Sequence, residues 1–360
     1  MKVQSILIAG GYGVVGAEIA HLVRKHYPEV EILLAGRNPR VGDQLADQLG
    51  FARTVALDTS DLDPLGEVTK LPDLILAVVN DHEDQLMLSC VRRGIAYIDV
   101  TRWTERMRSA IERLDREPSV RAPVVFSSSW MASVAATVAA GFAREFSNIN
   151  RIDVGILYAQ EDRAGPNSVE YMDRMHLPFE VVENGQRLMA KPFRAAHKTE
   201  FPGTGTYKLY RFDTPDQFTL PSITNAKSVA ARIGFDDAIS GPLLSGMVKS
   251  GIWRLISGRA FTGLRHGLLF NPGKGAPHRV RIDISGETSN SGHSTRSWLI
   301  VDFESQTHMT AMGALIQIDR LMREKEGVEP GGVQIAEAVT DLNHCLQLLE
   351  ENGVAVTEIL

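Results

Sequence analysis

Three features of this 360-residue sequence predict an α/β fold: a doubly wound parallel sheet, then a mixed α+β domain, then a C-terminal helical return. First, short apolar runs alternate with helix-period segments over the first 130 residues. Second, the opening run ends on "GGYGVVG", Gly10–Gly16, where a helical pattern begins. Third, the alternation stops after Ser129, and longer strand-like stretches with irregular connections take over. A chain of this length exceeds one small core. The expected division is 1–130 and 131–305, with 306–360 packing back on the first domain.

Val3–Ala9 is a short apolar run closed by glycines, which predicts a buried strand. A helix follows over Gly13–His26, where Val14, Val15, Ile19, Leu22 and Val23 keep helical spacing and Pro28 stops it. Glu31–Ala35 is the second strand. Arg40–Leu49 is the second helix, with Gly50 as a left-handed cap. Arg53–Asp58 and Asp73–Val79 are the third and fourth strands. A helix at Glu83–Arg93 closes on Gly94 before the strand Ala96–Val100. A helix at Thr104–Arg116 leads to the sixth strand, Pro123–Ser128. Six apolar strands separated by helices require a parallel sheet covered on both faces. Right-handed crossovers put the strands' carboxyl ends on one edge, where ligands bind.

The glycines have a mechanism in that setting. Gly11, Gly13 and Gly16 satisfy G-x-G-x-x-G, and Gly10 offers the G-x-x-G-x-x-G register. One glycine makes the tight turn, the next admits a pyrophosphate close to the backbone, and Gly16 lets helix and strand approach. The helix N-terminus adds free N–H groups and a positive dipole end. An acid after the second strand would hold the ribose 2′-hydroxyl of NAD. Here Gly36, Arg37 and Asn38 stand instead, and a guanidinium grips a 2′-phosphate that a carboxylate would repel. NADP(H) is therefore expected over NAD(H). Its contacts are expected from Gly10, Gly11, Tyr12, Gly13, Val14, Val15 and Gly16, from Arg37 and Asn38, from Asp58, and from Val79 and Asn80. Asp58 either flanks the adenine or caps the next helix.

Beyond the sheet, Met131–Phe146 reads as a long small-residue helix and Arg151–Ala159 as the first strand of the second domain. Tyr207–Phe212 is another strand. His278–Ser285 and Ser297–Phe303 flank "GETSNSGHST" as an antiparallel hairpin. From Met247 to Arg281 there is no acid, and seven Lys and Arg residues interleave with apolar ones. This stretch is either a helical pair with a solvated basic face, packed on the sheet or on a second subunit, or a cradle for an anionic substrate or acyl carrier, or an interfacial membrane patch. An apolar surface around Trp253 suits a homodimer. Met309–Lys325 and Ile335–Glu351 are helical, and "VAVTEI" is a closing strand.

A net charge of −6 argues against general nucleic-acid binding. The two cysteines, Cys90 and Cys345, form no disulfide framework, CxxC pair or zinc spacing, so no metal is expected. The N-terminal run reads as a strand rather than a signal peptide, and no apolar stretch is long enough to span a bilayer. A reducing cytoplasm is the expected compartment.

The stretches "ILIAGGYGVVG", "LLAGRN" and "CVRRGIAYIDVT", with the ending "GGVQIAEAV…LLEENGVAVTEIL", resemble the saccharopine dehydrogenase-like oxidoreductases. The likeness is strong over the first 130 residues and loose thereafter. It implies a Rossmann-type domain, a second mixed-sheet domain and a C-terminal return. It also implies NAD(P)-dependent hydride transfer, to or from C=N bonds or on enoyl groups of lipids. One departure is Ser127–Trp130, where many relatives carry a glycine-rich turn.

Hydride transfer is the cofactor's own reaction, so the protein positions two carbons and manages one proton. Candidates for the proton are His82 after the fourth strand, Asp99 at the end of the fifth, and Tyr171 and His197 from the second domain. Histidine is the side chain suited to proton transfer near neutrality, but His82 also reads as a solvated helix-start residue. Asp99 either orients a substrate amine or caps a helix. Three functions stand open: reduction of a C=N bond in a small amine- or amino-acid-derived substrate, reduction of a C=C bond in a lipid or carrier-bound acyl chain, or a non-catalytic NADP-binding sensor.

Overall fold

The structure, a computed structural model, describes residues 3–162, 173–257, 261, 273–288, 292–323 and 331–359. The chain forms two compact units: Met1–Ser133 with Thr310–Thr340, and Val134–Met309 with Asp341–Leu360. The expected return of 306–360 to the first unit is thus divided, because the last twenty residues belong to the second.

The first unit holds β1 (Ser5–Ala9), α1 (Val14–His26), β2 (Glu31–Gly36), α2 (Asp43–Leu49), β3 (Ala52–Ala56), β4 (Leu74–Ala77), α3 (Gln85–Arg93), β5 (Ala96–Asp99), α4 (Thr104–Leu114) and β6 (Pro123–Phe126). Every residue of β1, β4, β5 and β6 is buried, as both-face coverage requires. The strand Gly332–Ile335, β15 in chain order, extends the sheet beside β6. The order is β15-β6-β5-β4-β1-β2-β3, all parallel. Strand order reverses between β1 and β4, which makes their carboxyl ends the topological switch point where ligands bind. This is a Rossmann-type sheet.

The second unit holds α5 (Val134–Ala143), β7 (Phe146–Tyr158), the hairpin β8 (Phe179–Glu183) and β9 (Gln186–Ala190), β10 (His197–Phe201) and β11 (Gly205–Arg211). It continues with α6 (Asp216–Thr224), β12 (Val229–Phe235), α7 (Ser240–Lys249), α8 (Ile252–Ile256), β13 (His278–Thr288) and β14 (Gly292–Asp302). Helix α9 (Gln306–Arg323) begins in the second unit and continues in the first, which also holds α10 (Ala336–Val339). The last helix, α11 (Leu342–Glu351), and β16 (Val354–Ile359) lie in the second unit. Its sheet runs β10-β11-β12-β7-β13-β14-β16, with β7 and β12 parallel and the other pairs antiparallel. Val280, Ile282 and Ile284 fill its core at 0% exposure, following their alternation in sequence.

Several boundaries differ from the expectations. The helix expected over Met131–Phe146 is shorter, because Met131, Ala132 and Ser133 are left-handed, with φ of 55°, 49° and 68°. Gly313 on α9 explains the turn. A Cβ there would stand 2.6 Å from the Met131 carbonyl oxygen, so the helix lies directly on the turn's carbonyls. Ser127 Oγ also donates to the Ala132 carbonyl at 2.8 Å. The helix expected over Ile335–Glu351 is broken, because Asp341 caps a new one by accepting from the His344 N–H at 2.9 Å. Most of "GETSNSGHST" is strand, since β13 pairs with β14 out to Thr288 and Gly292. Trp253 is buried at 1% exposure, so the exposed apolar residues next to it are Ile252 and Leu255. Of the basic stretch 247–281, residues 258–260 and 262–272 lie outside the described residues.

Candidate dinucleotide site

In the turn after β1, close neighbours leave no room for a Cβ at Gly10, Gly11 or Gly16. Gly10 is left-handed (φ 86°), and a Cβ on it would meet Val79 Cγ1 at 2.5 Å. A Cβ on Gly11 would stand 2.8 Å from the Ile8 carbonyl oxygen. One on Gly16 would stand 2.8 Å from the carbonyl carbon of Gly10. The N–H groups of Gly10 and Gly11 both reach the Ala35 carbonyl, at 2.7 and 3.3 Å, which ties the turn to β2. Gly13 caps α1 without a side-chain bond, and the first helical bond runs from the Ala17 N–H to the Gly13 carbonyl at 2.9 Å. The N–H groups of Val14, Val15 and Gly16 therefore precede the helical ladder, at the positive end of the dipole. That arrangement fits a diphosphate.

The end of β2 carries the second part. Arg37 is exposed and makes no hydrogen bond or ion pair among the described residues. It lines a cleft of about 420 Å³ with Asp58, Asp61, Asp63 and Glu67. Asp58 accepts from the Ser60 N–H at 2.9 Å and the Ser60 hydroxyl at 2.7 Å, so it closes a turn rather than capping a helix. Those bonds, and the nearby Arg37, hold its carboxyl below the usual range. Tyr12 reaches across from the glycine turn, and its hydroxyl accepts the Asn38 N–H at 3.1 Å.

Past β4, Val78 continues the pairing through its N–H to the Ala9 carbonyl at 2.9 Å. Val79 and Asn80 thus lie beside the turn, and the Asn80 carbonyl accepts from Thr59 Oγ1 at 3.3 Å. His82 is exposed in the turn before α3. Its neighbour Asp81 is fully buried and escaped the sequence reading, because "NDHED" resembles a solvated charge run. Burial pushes the Asp81 carboxyl up to about 6, against the opposing Met87 N–H and Arg102. Its Oδ2 accepts from the Met87 N–H at 3.1 Å.

Asp99 closes β5. It is fully buried, and Oδ1 accepts from the Thr101 N–H and Oγ1, both at 2.9 Å. Oδ2 accepts from Tyr97 Oη and Arg102 Nε, both at 2.8 Å. Burial alone would raise its pKa, but Arg102 and these donors hold it below the usual carboxylate range. Arg102 also donates to Asp84 Oδ1 at 2.5 Å and lies over the Phe126 ring, 5.4 Å from its centroid. Asp99 therefore braces the ends of β5 and β6. Ser128 joins it, donating to the Asp99 carbonyl at 2.9 Å. His197 stands exposed on the edge strand β10 of the second unit, and Tyr171 lies outside the described residues.

Residues 6–123 match the family described as the saccharopine dehydrogenase NADP binding domain. A search of curated proteins returns no match to the sequence. Among solved structures, the apo saccharopine dehydrogenase (L-Glu forming) from Saccharomyces cerevisiae is similar over 99% of this chain and 100% of its own, at 11% identity and a TM-score of 0.70. The amine dehydrogenase from Mycobacterium smegmatis is similar over 95% of this chain and 97% of its own, at 10% identity and a TM-score of 0.50. These likenesses show a shared fold. No helix among the described residues is long and apolar enough to cross a membrane. The glycine turn, the free amides of α1 and the family match over the same residues lead to one conclusion: residues 6–123 of this chain form a saccharopine dehydrogenase-type NADP binding domain, and the chain is an NADP(H)-dependent oxidoreductase.

Proposed function

We propose that the protein transfers hydride between NADP(H) and the C=N bond of a small amine- or amino-acid-derived substrate. One observation carries the cofactor half of this reading: an unpaired guanidinium, Arg37, follows β2 where an acid would select NAD. The substrate half is supported by the two similar structures, one named a saccharopine dehydrogenase and the other an amine dehydrogenase.

Bound NADP(H) supplies or accepts the hydride. Gly10, Gly11, Gly13 and the amides of Val14, Val15 and Gly16 hold the diphosphate, and Arg37 with Asn38 holds the 2′-phosphate. Asp58 flanks the adenosine end, and Val79 with Asn80 borders the nicotinamide end. His82, Tyr171 and His197 are the candidates to hold or move the proton at the substrate nitrogen. The second reading, C=C reduction on a lipid or carrier-bound chain, draws on the exposed Ile239, Leu243, Ile252 and Leu255 around the cations Lys249 and Arg254.

The test is loss of reduced-nicotinamide absorbance on mixing the protein and NADPH with amine and keto-acid pairs, ketones, or enones. Turnover with the imine-forming pairs is expected. Turnover with enones alone supports the lipid reading, and tight NADPH binding with no turnover in any class supports a sensor instead.

A further inference from the structure

Tyr12 sits between two glycines of the diphosphate turn, yet its side chain belongs to the neighbouring loop. A Cβ on Gly36 would stand 2.6 Å from Tyr12 Cζ, and one on Gly42 would stand 2.7 Å from Tyr12 Cδ1. The ring therefore fills the space that two glycines at the ends of the 36–42 loop leave open. Its hydroxyl accepts the Asn38 N–H at 3.1 Å. The loop closes on itself through the Val41 N–H to the Asn38 carbonyl at 3.2 Å. Arg37 lies between Gly36, which touches the ring, and Asn38, which bonds to the hydroxyl. The Arg37 side chain bonds to nothing among the described residues, so its backbone sets where the guanidinium starts from: the end of β3 holds Gly36 through the Leu57 N–H at 3.0 Å, and Tyr12 holds Asn38. Loops flanked by glycine are otherwise free to sample many conformations, and ordering them on binding weakens affinity.

We propose that Tyr12 is a positioning residue for coenzyme selection: it couples the diphosphate turn to the Arg37 loop and presets the guanidinium for the 2′-phosphate. The inference rests on the assignment of Arg37 to that phosphate. A phosphate that Arg37 grips gains from the preset loop, whereas NADH, which lacks it, does not. Tyr12→Phe removes the bond to Asn38 while keeping the ring between the glycines, so it separates the coupling from simple packing.

The experiment titrates NADPH and NADH into the purified protein by fluorescence, for the parent, Tyr12→Phe, Arg37→Ala and the double variant, with melting temperature as a fold control. Tyr12→Phe should weaken NADPH about three- to tenfold, the range of one hydrogen bond, and leave NADH within about twofold. In the Arg37→Ala background the same change should have no further effect on NADPH, because Tyr12 acts through Arg37. Equal loss of both cofactors, no loss of either, or full additivity in the double variant overturns the coupling. If Arg37→Ala leaves the NADPH-to-NADH ratio unchanged, the underlying phosphate assignment fails instead, and the two failures are distinct.

Discussion

Gly16 rests on the carbonyl group of Gly10: a Cβ at position 16 would stand 2.8 Å from the carbonyl carbon and closer still to its oxygen. The neighbour is backbone and cannot swing aside, so Gly16→Ala must push α1 away from the turn. That displaces the amides of Val14 and Val15. We expect loss of NADPH and NADH alike, by about tenfold or more, as two or more charge-assisted bonds lengthen. Gly13→Ala, whose Cβ would meet the Gly10 oxygen at 3.2 Å, should cost less. Cofactor titration with far-UV circular dichroism checks both.

Arg37→Ala should weaken NADPH by roughly 1.5–3 kcal/mol and leave NADH nearly unchanged, since only the former carries the phosphate. The cleft beside Arg37 is lined by four carboxylates. Asp58→Asn removes one of them and should shift selectivity the other way, tightening NADPH relative to NADH. Calorimetric titration of both cofactors reads each shift, and a loss shared equally by both cofactors on Arg37→Ala would remove the guanidinium from the phosphate site.

Asp99 and Arg102 are both fully buried and paired at 2.8 Å. Asp99→Ala leaves the buried Arg102 with Asp84 as its remaining partner and strips Tyr97 and Thr101 of their acceptor, so it should destabilise the first unit by about 2–4 kcal/mol. Turnover per folded molecule should stay close to the parent value, because the carboxylate braces strand ends. Denaturant melts paired with active-site titration separate the two effects, and a large fall in kcat without loss of stability would return Asp99 to the chemistry.

Asp81 makes stability depend on pH in the direction opposite to an ion-paired carboxylate. Burial raises its pKa from 3.8 to about 6, so the folded protein keeps a proton that the unfolded chain releases. Its stabilising contribution is full below about pH 4 and is lost as pH rises through about 6, for a total of roughly 2–3 kcal/mol. Asp81→Asn should raise the melting temperature at pH 7.5 and leave it little changed at pH 4. Melting curves across pH 4–8 check this, and equal shifts at both ends would rule out the titration.

The likeness between sequence and structure is uneven for physical reasons. Val3–Ala9, the glycines after it and the helix to His26 were legible because a buried parallel strand and an anion-binding turn are specified by adjacent residues. The helix break at Met131–Ser133 was not, because the left-handed turn is shaped by Gly313, nearly two hundred residues away. The same holds for β15, a four-residue edge strand, and for the partner of "VAVTEI": that run reads as a strand in the sequence, but its pairing with β14 of the second unit does not. Asp99 and Asp81 look alike in sequence, each an acid at a strand end. Their surroundings differ, since Asp99 accepts from Arg102, Thr101 and Tyr97, whereas the buried Asp81 carboxylate accepts from the Met87 N–H and feels Arg102 only through its charge.

By itself the sequence determined the α/β class, the order of the first six strands along the chain, the glycine turn and the cation that follows β2. Each depends on periodicity or on residues within one turn of each other. Only the tertiary structure decided that Tyr12 spans to Gly36, Asn38 and Gly42, that Asp99 is a brace, that Asp81 is a buried acid, and that the chain's end divides between the two units. Those outcomes depend on which distant groups share a desolvated space, and hydrogen bonding and burial there decide what a side chain does.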